Sequence, residues 1–386
     1  MKQSFLFLLS FITIINAYSQ NYQPDSLIDT YSQDYQPDSL NIGAVAPSLY
    51  IDKWIKGIPI EKFERGNVYV IELWATWCAP CIAMMPQLSG LACKYAKDSI
   101  TIIGVDIDGL EKKTTVKKIQ AFVDSMGKQM DYTVAIEDSN FMETDWLTAF
   151  DEQSIPKSFV VDGKGTIAWI GHPKNLDEVL YKIANNTWNK KEALARRNLE
   201  NRLYMLDDSI REYLNTIDRN VYPPYNLKLK DSVLVLINEM VKKETILKYA
   251  PSLSARTFDI LLITDPHKAY VFGRELFEHP GFIDLQYGDI IQSIQWYSDK
   301  LNLPPEIYEL GAEACQIEID AYGKFGNISM YRFYNYMADM YGHGKNKDKA
   351  IEYMQKAIEA LKKVKNFSVT GLLAAYESQL QQYKNM

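Results

Sequence analysis

The amino-acid sequence predicts an α/β domain with a mixed central sheet flanked by helices, followed by an all-α domain. Apolar β-rich runs alternate with helical patterns over residues 42–188, and such β-α-β steps require parallel strands joined by helical crossovers. Two β-rich runs around the Gly-rich residues 162–165 predict an antiparallel hairpin instead. Residues 189–386 contain no convincing strand pair. We therefore expect a sheet domain at 42–188 and a helical domain at 189–386.

Residues 1–20 have the pattern of a secretory signal peptide. Lys2 precedes an apolar run at residues 5–15, and Ala17-Tyr18-Ser19 offers the small residues of a cleavage site. The alternative is a membrane anchor, but the run is shorter than the roughly 18 residues that a membrane span needs. No cysteine follows it that could carry a lipid. The sequence therefore predicts an exported protein, most simply a periplasmic one.

A flexible spacer is expected at residues 21–41. Residues 18–27 recur almost unchanged at 31–40, with a period of 13 residues. Two copies of a polar, proline-containing segment bury too little apolar surface to fold.

The elements of the first domain follow from hydrophobic periodicity and turn residues. A short strand and loop are expected near residues 45–57. The remaining strands are predicted at 68–73, 100–107, 132–136, 157–161 and 166–170, and the helices at 82–97, 111–126, 140–150 and 175–187.

About six to eight helices are expected in the second domain. Asp231 precedes an apolar-periodic run that Pro251 is expected to end, and helices are predicted to begin at Pro266 and Pro305. Residues 331–362 match one tetratricopeptide-type helix pair, with small and aromatic residues at stacking positions. Tetratricopeptide-like repeats and a generic helical bundle both remain open.

Composition excludes several classes of function. A net charge of −7 and a pI near 5.3 argue against a nucleic-acid partner. The four cysteines are too few for a disulfide scaffold in 386 residues. Cys93 and Cys315 are isolated and are expected to be buried in the core. No metal site is predicted, because structural zinc needs four ligands.

The chemistry is concentrated in residues 68–81, where an apolar strand leads directly into Cys78-Ala79-Pro80-Cys81 at a helix N-terminus. Cysteines two residues apart in a first helical turn can form and break a disulfide. The partial positive charge of the helix N-terminus favours the thiolate. Cys78 should be the more exposed and attacking thiol, whereas Cys81, one turn further on, should resolve the mixed disulfide.

Two further positions belong to the predicted site. Glu72 interrupts the apolar strand six residues before Cys78, and we expect it to be buried with a raised pKa, able to accept the Cys81 proton. The alternative is a solvent-facing residue on an edge strand. A cis peptide is suspected at Ile155-Pro156, although base rates alone do not predict one.

The sequence from Trp74 to Cys81, followed by Ile155-Pro156-Lys157-Ser158-Phe159 and its hairpin, resembles the thioredoxin superfamily. It is most similar to exported thiol-disulfide oxidoreductases of the TlpA/ResA type. The resemblance covers residues 42–188 and implies the thioredoxin fold with no organic cofactor. It implies that Cys78 is the nucleophile, that Cys81 resolves, and that Trp77, Ile155 and the cis-Pro156 contact the substrate.

The resemblance also implies partners. These are protein thiols or disulfides and an upstream thiol electron donor, such as a membrane protein, with reduction favoured over oxidation or isomerisation. Some relatives carry an acidic residue three positions after the second cysteine, but this chain has Met84 there. The helical domain, whose partner is unknown, has no counterpart in the family core.

Other candidate residues are interpreted without a role in the chemistry. Asp106 and Asp108 are interpreted as turn residues at a strand end, and His172 as a residue of a surface loop. A peroxidase would require its cysteine in a different motif. The second hypothesis for the whole chain is an interaction protein, in which the helical domain binds a partner and the sheet domain serves as a tether or as an accessory that adds specificity.

Overall fold

The computed structural model describes residues 40–108, 116–137, 139–217, 230–278, 286–322, 330–364 and 369–386. The predicted signal peptide and all but the end of the predicted spacer lie outside these residues. The described chain divides into two compact units. The sheet unit comprises residues 40–198, and the helical unit comprises residues 199–321 and 330–386.

A single mixed sheet is the centre of the sheet unit, as predicted. Its strands are β1 (Ile51–Lys56), β2 (Val68–Trp74), β3 (Ile100–Asp106), β4 (Thr133–Glu137), β5 (Lys157–Val161) and β6 (Ile167–Gly171). Their order is β1-β4-β3-β2-β5-β6. The β2–β3 and β3–β4 pairs are parallel, whereas the other three pairs are antiparallel. The strand that leads to the cysteines is therefore central.

Strand alternation divides the core between the two faces of the sheet. On β2, Val70 and Trp74 belong to the apolar cluster that includes three helices: α1 (Ala79–Lys94), α2 (Val116–Met126) and α3 (Leu176–Ala184). Ile71 and Leu73 belong to the opposite cluster. That cluster includes Trp146 and Phe150 and the first residues of α4 (Lys190–Ile217). Both faces of β2 are therefore covered.

The structure corrects several predicted boundaries in the sheet unit. Helix α1 ends at Lys94 rather than at residue 97. The predicted helix at 140–150 is a π-helical turn, Glu143–Leu147, followed by a 3-10 turn, Thr148–Phe150. The described part of the helix predicted at 111–126 begins at Val116. The hairpin of β5 and β6 is confirmed.

The second half of the chain is helical wherever it is described. Its helices after α4 are α5 (Lys230–Lys243), α6 (Pro251–Thr264), α7 (Pro266–Glu278), α8 (Gln286–Ser298), α9 (Pro305–Tyr322), α10 (Met330–His343), α11 (Lys347–Lys362) and α12 (Val369–Asn385). With α4, the described residues after 189 hold nine α-helices, more than the six to eight predicted. No helix within the described residues is long and apolar enough to cross a bilayer.

Proline positions explain both a correct prediction and an error. Pro266 and Pro305 begin α7 and α9 as predicted. Pro251 begins α6 rather than ending the preceding helix, which already stops at Lys243. Proline is favoured at a first helical position because the N–H that it lacks has no partner there.

Helices α10 and α11 pack closely on each other. Ala338 and Ala350 are buried between them, and the rings of Tyr341 and Tyr353 are stacked. Asn346 caps α11 by accepting a hydrogen bond from the Lys349 backbone N–H at 3.3 Å. These contacts are of the kind expected for a tetratricopeptide-type pair, and the repeat assignment remains a prediction.

Candidate active site

The cysteine pair lies where β2 passes into α1. Cys78 is the N-cap of α1, and its Sγ accepts a hydrogen bond from the Cys81 N–H at 3.2 Å. Pro80 is in the first turn of the helix. Cys78 and Cys81 are joined by a disulfide. The sequence thus places both sulfurs at a helix N-terminus, where the unpaired backbone N–H groups favour a thiolate.

The two sulfurs differ in access. Cys78 is 3% exposed and Cys81 is 0% exposed, in the predicted order. Even Cys78 is therefore almost covered, whereas the neighbouring Trp77 is 59% exposed. A partner that reaches the Cys78 sulfur must also come close to the Trp77 ring.

The Ile155-Pro156 peptide is cis, as suspected from the sequence. The Cys78 Sγ lies 3.8 Å from the Ile155 carbonyl oxygen. These two residues are 77 positions apart in the chain, and β5 brings them together by pairing with β2. The structure therefore places the Cys78 sulfur next to the cis Ile155-Pro156 peptide.

Glu72 is completely buried in the middle of β2, which excludes the alternative of a solvent-facing residue. Alternation puts its side chain on the same face as Val70 and Trp74, the face whose core also contains Cys81. Neither carboxyl oxygen has a hydrogen-bond partner among the described residues. Burial raises the pKa of Glu72 well above its usual range. A carboxyl with this pKa is a stronger base than a solvated one.

Two polar residues that the sequence reasoning missed flank Glu72. Ser158 of β5 is its direct cross-strand neighbour and is buried. On the other side, the neighbour is Gly104 of β3, and the ring of Tyr132 occupies the space beside it. A Cβ at residue 104 would stand 2.8 Å from Tyr132 Cε2. Burial, and secondarily the Glu72 charge, raise the pKa of Tyr132.

The sequence signal for the position of Tyr132 beside Glu72 was Gly104. Gly104 interrupts a β-branched run, and a glycine inside a strand commonly marks a close approach by another group. Its alignment with Glu72 depends on the register between β2 and β3, which the sequence does not show.

Asp106 is the last residue of β3 and Asp108 follows it, at the strand end as predicted, but neither is an ordinary turn residue. Both carboxyls are buried, and the Asp108 N–H donates to Asp106 Oδ1 at 3.2 Å. Burial, followed by the Asp108 charge, raises the pKa of Asp106 to about 8. Burial raises the pKa of Glu137, at the end of the next strand, to about 7. The sheet therefore holds several buried carboxyls besides Glu72.

The structure places four further residues that the sequence singled out. Cys93 is exposed and not buried as expected, because α1 turns it away from the sheet, whereas Cys315 is buried as predicted. His172 lies in the turn after β6 and is half-buried. Its Nδ1 accepts the Lys174 N–H at 3.2 Å, and burial lowers its pKa to about 4. Met84 is buried.

Comparison with known proteins agrees with this site. The sequence profile described as the AhpC/TSA family matches residues 42–170, which include both active-site cysteines and Pro156. Protein FixW of Rhizobium leguminosarum is 33% identical over 153 residues, 39% of this chain and 68% of that protein. This chain belongs to the thioredoxin-like AhpC/TSA family of thiol-disulfide oxidoreductases.

Two other relatives match about a third of the chain's length. The thiol:disulfide interchange protein HelX of Rhodobacter capsulatus is 36% identical over 120 residues, 31% of this chain and 60% of HelX. The thiol-disulfide oxidoreductase ResA of Bacillus anthracis is 30% identical over 129 residues, 33% of this chain and 68% of ResA. The chain therefore spans about two thirds of the curated relatives that it matches.

Solved structures of low sequence identity are also similar. The thioredoxin domain of a thiol-disulfide oxidoreductase from Bacteroides vulgatus has a TM-score of 0.33 and 19% identity, over 38% of this chain and 100% of that one. StoA of Bacillus subtilis has a TM-score of 0.29 and 19% identity, over 35% of this chain and 98% of that one.

Proposed function

We propose that this protein is an exported thiol-disulfide oxidoreductase that exchanges disulfides with protein substrates through Cys78 and Cys81, working as a reductase. The observation that carries the proposal is the disulfide at the N-terminus of α1, with its outer sulfur 3.8 Å from the carbonyl oxygen that precedes the cis-proline. Cys78 is the only residue of the pair with any exposed surface, so we assign its sulfur as the one that meets the substrate.

The first step begins from the dithiol form. The Cys78 thiolate attacks one sulfur of the substrate disulfide, and the other substrate sulfur leaves as a thiolate that takes up a proton. A mixed disulfide now joins Cys78 to the substrate. Trp77, Ile155 and Pro156 contact the substrate chain on either side of this bond.

The second step resolves the mixed disulfide. Glu72 takes the proton of Cys81, directly or through water, and the Cys81 thiolate attacks Cys78 Sγ. The Cys78–Cys81 disulfide forms, and the second substrate sulfur leaves as a thiolate that takes up a proton from water. Glu72 then gives up the proton that it accepted. The substrate has gained two electrons and the enzyme has lost two, so a thiol electron donor must return the enzyme to the dithiol form.

Reduction as the working direction is supported by the family resemblance, and export by the N-terminal sequence. The Cys78-Ala79-Pro80-Cys81 pair itself can run either way, depending on the reduction potentials of its partners. For a reductase, the electron donor that returns the pair to the dithiol form would be a protein thiol. A membrane protein could supply that thiol to an exported enzyme.

The decisive experiment is trapping of the mixed disulfide. Cys81→Ser removes the resolving sulfur, so this variant should accumulate a covalent adduct with its substrate that a reducing agent releases. Cys78→Ser should form no adduct and should not reduce insulin. Adduct formation by Cys78→Ser, or reduction of insulin by it, would contradict the assigned roles.

The same variants separate this function from the partner-binding alternative. If the helical unit carried the biological role and the sheet unit were a tether, Cys78→Ser would retain that role in the cell. We expect Cys78→Ser to lose it.

A further inference from the structure

The connection between β2 and α1 is tied to the end of β3 by hydrogen bonds that the mechanism above does not use. Ala75, Thr76, Trp77 and Cys78 make up this connection. The Thr76 backbone N–H donates to Asp108 Oδ2 at 3.3 Å, and the Thr76 hydroxyl donates to the same oxygen. Just before it, the Ile107 N–H donates to the Trp74 carbonyl at 2.9 Å.

Burial makes the Asp108 contact effective. The Asp108 side chain is 1% exposed, so water and salt compete little for its oxygens. One oxygen receives both donors of Thr76, which fixes the backbone and the side-chain rotamer of that residue together. Because only Trp77 separates Thr76 from Cys78, the orientation of both following residues depends on this contact.

The neighbouring carboxyl supports the same arrangement. Asp106 accepts the Asp108 N–H and so holds the backbone of Asp108 in place. The raised pKa of Asp106, about 8, keeps this second carboxyl protonated at neutral pH. The Asp106 carboxyl therefore adds no negative charge beside Asp108 at neutral pH.

We propose that Asp108, acting through Thr76, is a positioning residue that presents Trp77 and Cys78 to protein disulfides. Asp108 touches no reacting atom. It sets the geometry of the exposed Trp77 ring beside the attacking sulfur, and thereby affects substrates large enough to contact both. This inference rests on the proposed function and names a determinant of its substrate class.

The chain contains a matched control. Thr166 donates its N–H and its hydroxyl to Asp162, each at 3.0 Å, so it repeats the chemistry of the Thr76–Asp108 pair. Pro156 precedes β5 and Asp162 follows it, so Asp162 lies at the end of the strand that is away from the cysteines. Asp162 also binds Lys190. Substitutions there test the general effect of losing such a pair.

The experiment compares Thr76→Val, Thr76→Ser and Thr166→Val in the full chain, with insulin and with a small aromatic disulfide as substrates. Loss of one hydrogen bond to a buried carboxylate corresponds to about tenfold in a rate or binding constant. Thr76→Val should therefore raise the KM for insulin about tenfold with kcat little changed. The rate with the small disulfide should stay at the wild-type level, because that substrate needs only the sulfur.

Rescue and coupling complete the test. Thr76→Ser keeps the hydroxyl and should restore the wild-type KM, and Thr166→Val should leave both substrates unaffected. Asp108→Ala should raise the KM for insulin, and adding Thr76→Val to it should have little further effect, because both remove one interaction. If Asp108→Ala does not fold, the difference in KM for insulin between Thr76→Val and Thr76→Ser tests the proposal.

Several outcomes would overturn the inference. These are an equal loss of activity toward both substrates in Thr76→Val, no rescue by serine, or the same change in Thr166→Val. A wild-type chain that reduces neither substrate would instead contradict the proposed function itself.

Discussion

Glu72 shows how a single residue can be placed by its strand. It is the one carboxyl in β2, the other side chains of which are apolar or aromatic. It is fully buried beneath the helix that carries Cys81. A buried carboxyl without a compensating charge keeps its proton to higher pH. Glu72 is therefore better suited than a solvated carboxyl to accept a proton from a thiol.

Glu72→Gln should slow the resolving step while leaving the first attack by Cys78 intact. Glutamine has similar shape but cannot accept the Cys81 proton, and loss of such a base typically lowers a rate about 100-fold. Rapid-mixing experiments should show the mixed disulfide accumulating. In the wild type, resolution should accelerate as pH rises through the raised pKa of Glu72, because the carboxylate form then increases, and Glu72→Gln should lack this rise.

A control variant separates this role from burial alone. Glu137 is also buried with a raised pKa, but alternation on β4 puts it on the opposite face from Ile136, and it accepts the Met142 N–H at 3.1 Å. Glu137→Gln should leave the resolving rate unchanged. Equal slowing in both variants would exclude a specific role for Glu72.

The raised pKa of Glu72 should also appear in the pH dependence of the free energy of unfolding. Because the pKa of Glu72 is higher in the folded chain than in the unfolded chain, the folded chain keeps a proton that the unfolded chain loses. The free energy of unfolding should therefore fall as pH rises from 4.5 towards the raised pKa, and Glu72→Gln should reduce this slope by about 1.4 kcal/mol per pH unit. Tryptophan fluorescence can follow the sheet unit, since six of the seven tryptophans lie in residues 42–188.

At the scale of elements, several helix N-termini are capped by a side chain that lies next to the helix in the sequence. Cys78 caps α1, Asn346 caps α11, and Asp265 accepts the Lys268 N–H at the start of α7. These caps are polar side chains just before the helix, so sequence can predict them. Helix α6 is different, because the residue before it is Ala250, which has no capping side chain.

Helix α6 is capped from another helix. Asp207 of α4 accepts the Ser252 N–H at 3.0 Å and the Ser252 hydroxyl at 2.8 Å. Asp207→Ala should lower the free energy of unfolding of the helical unit by about 2 kcal/mol, because hydrogen bonds to a buried carboxylate are lost and the Ser252 donors are left unpaired. Urea unfolding followed by far-ultraviolet circular dichroism would measure this change.

The adjacent residue provides the control. Asp208 is half-exposed and pairs with Arg211 within the same helix. Surface pairs of this kind contribute less than about 0.5 kcal/mol, so Asp208→Ala should have little effect. Equal destabilisation by the two substitutions would show that Asp207 acts through helix charge rather than as a cap.

At the scale of the whole molecule, the first compact unit includes the beginning of α4. It reaches residue 198. Ala193 and Leu194 pack on the core cluster of Ile71 and Leu73. Arg197 is buried, pairs with Glu152 and donates to the Phe150 carbonyl at 2.5 Å.

A fragment of residues 40–198 should therefore be more stable than a fragment of residues 40–188. In the shorter fragment Glu152 keeps only Lys157, whereas the longer fragment keeps both Lys157 and Arg197. Losing hydrogen bonds to a buried charged group costs about 2 kcal/mol. Urea unfolding of both fragments, followed by fluorescence, would measure the difference. The longer fragment should also reduce a small aromatic disulfide at close to the full-chain rate, because it contains every residue of the site.

Arg197→Ala in the longer fragment serves as the control. It should lose most of the stability that separates the two fragments. Equal stability of the fragments would mean that the first turns of α4 contribute nothing to the sheet unit.

Sequence predicted the parts of this molecule that depend on neighbours along the chain. Hydrophobic periodicity gave the alternation of strands and helices, and turn residues gave the β5–β6 hairpin. The prolines at 266 and 305 gave two helix starts. Pro251 was misinterpreted because a proline that begins one helix is indistinguishable, in sequence, from one that ends another.

By itself, therefore, the sequence determined that a strand delivers a Cys-Ala-Pro-Cys pair to a helix N-terminus, and that a helical half follows. Only the tertiary structure decided what surrounds that pair. It set Ile155 beside Cys78, Asp108 beneath Thr76, and Tyr132 and Ser158 beside Glu72. The physical reason is that these neighbours are fixed by the pairing of β2 with β3 and β5 and of β3 with β4. A shift of one residue in the β2–β5 register, for example, would turn Ser158 to the opposite face of the sheet from Glu72.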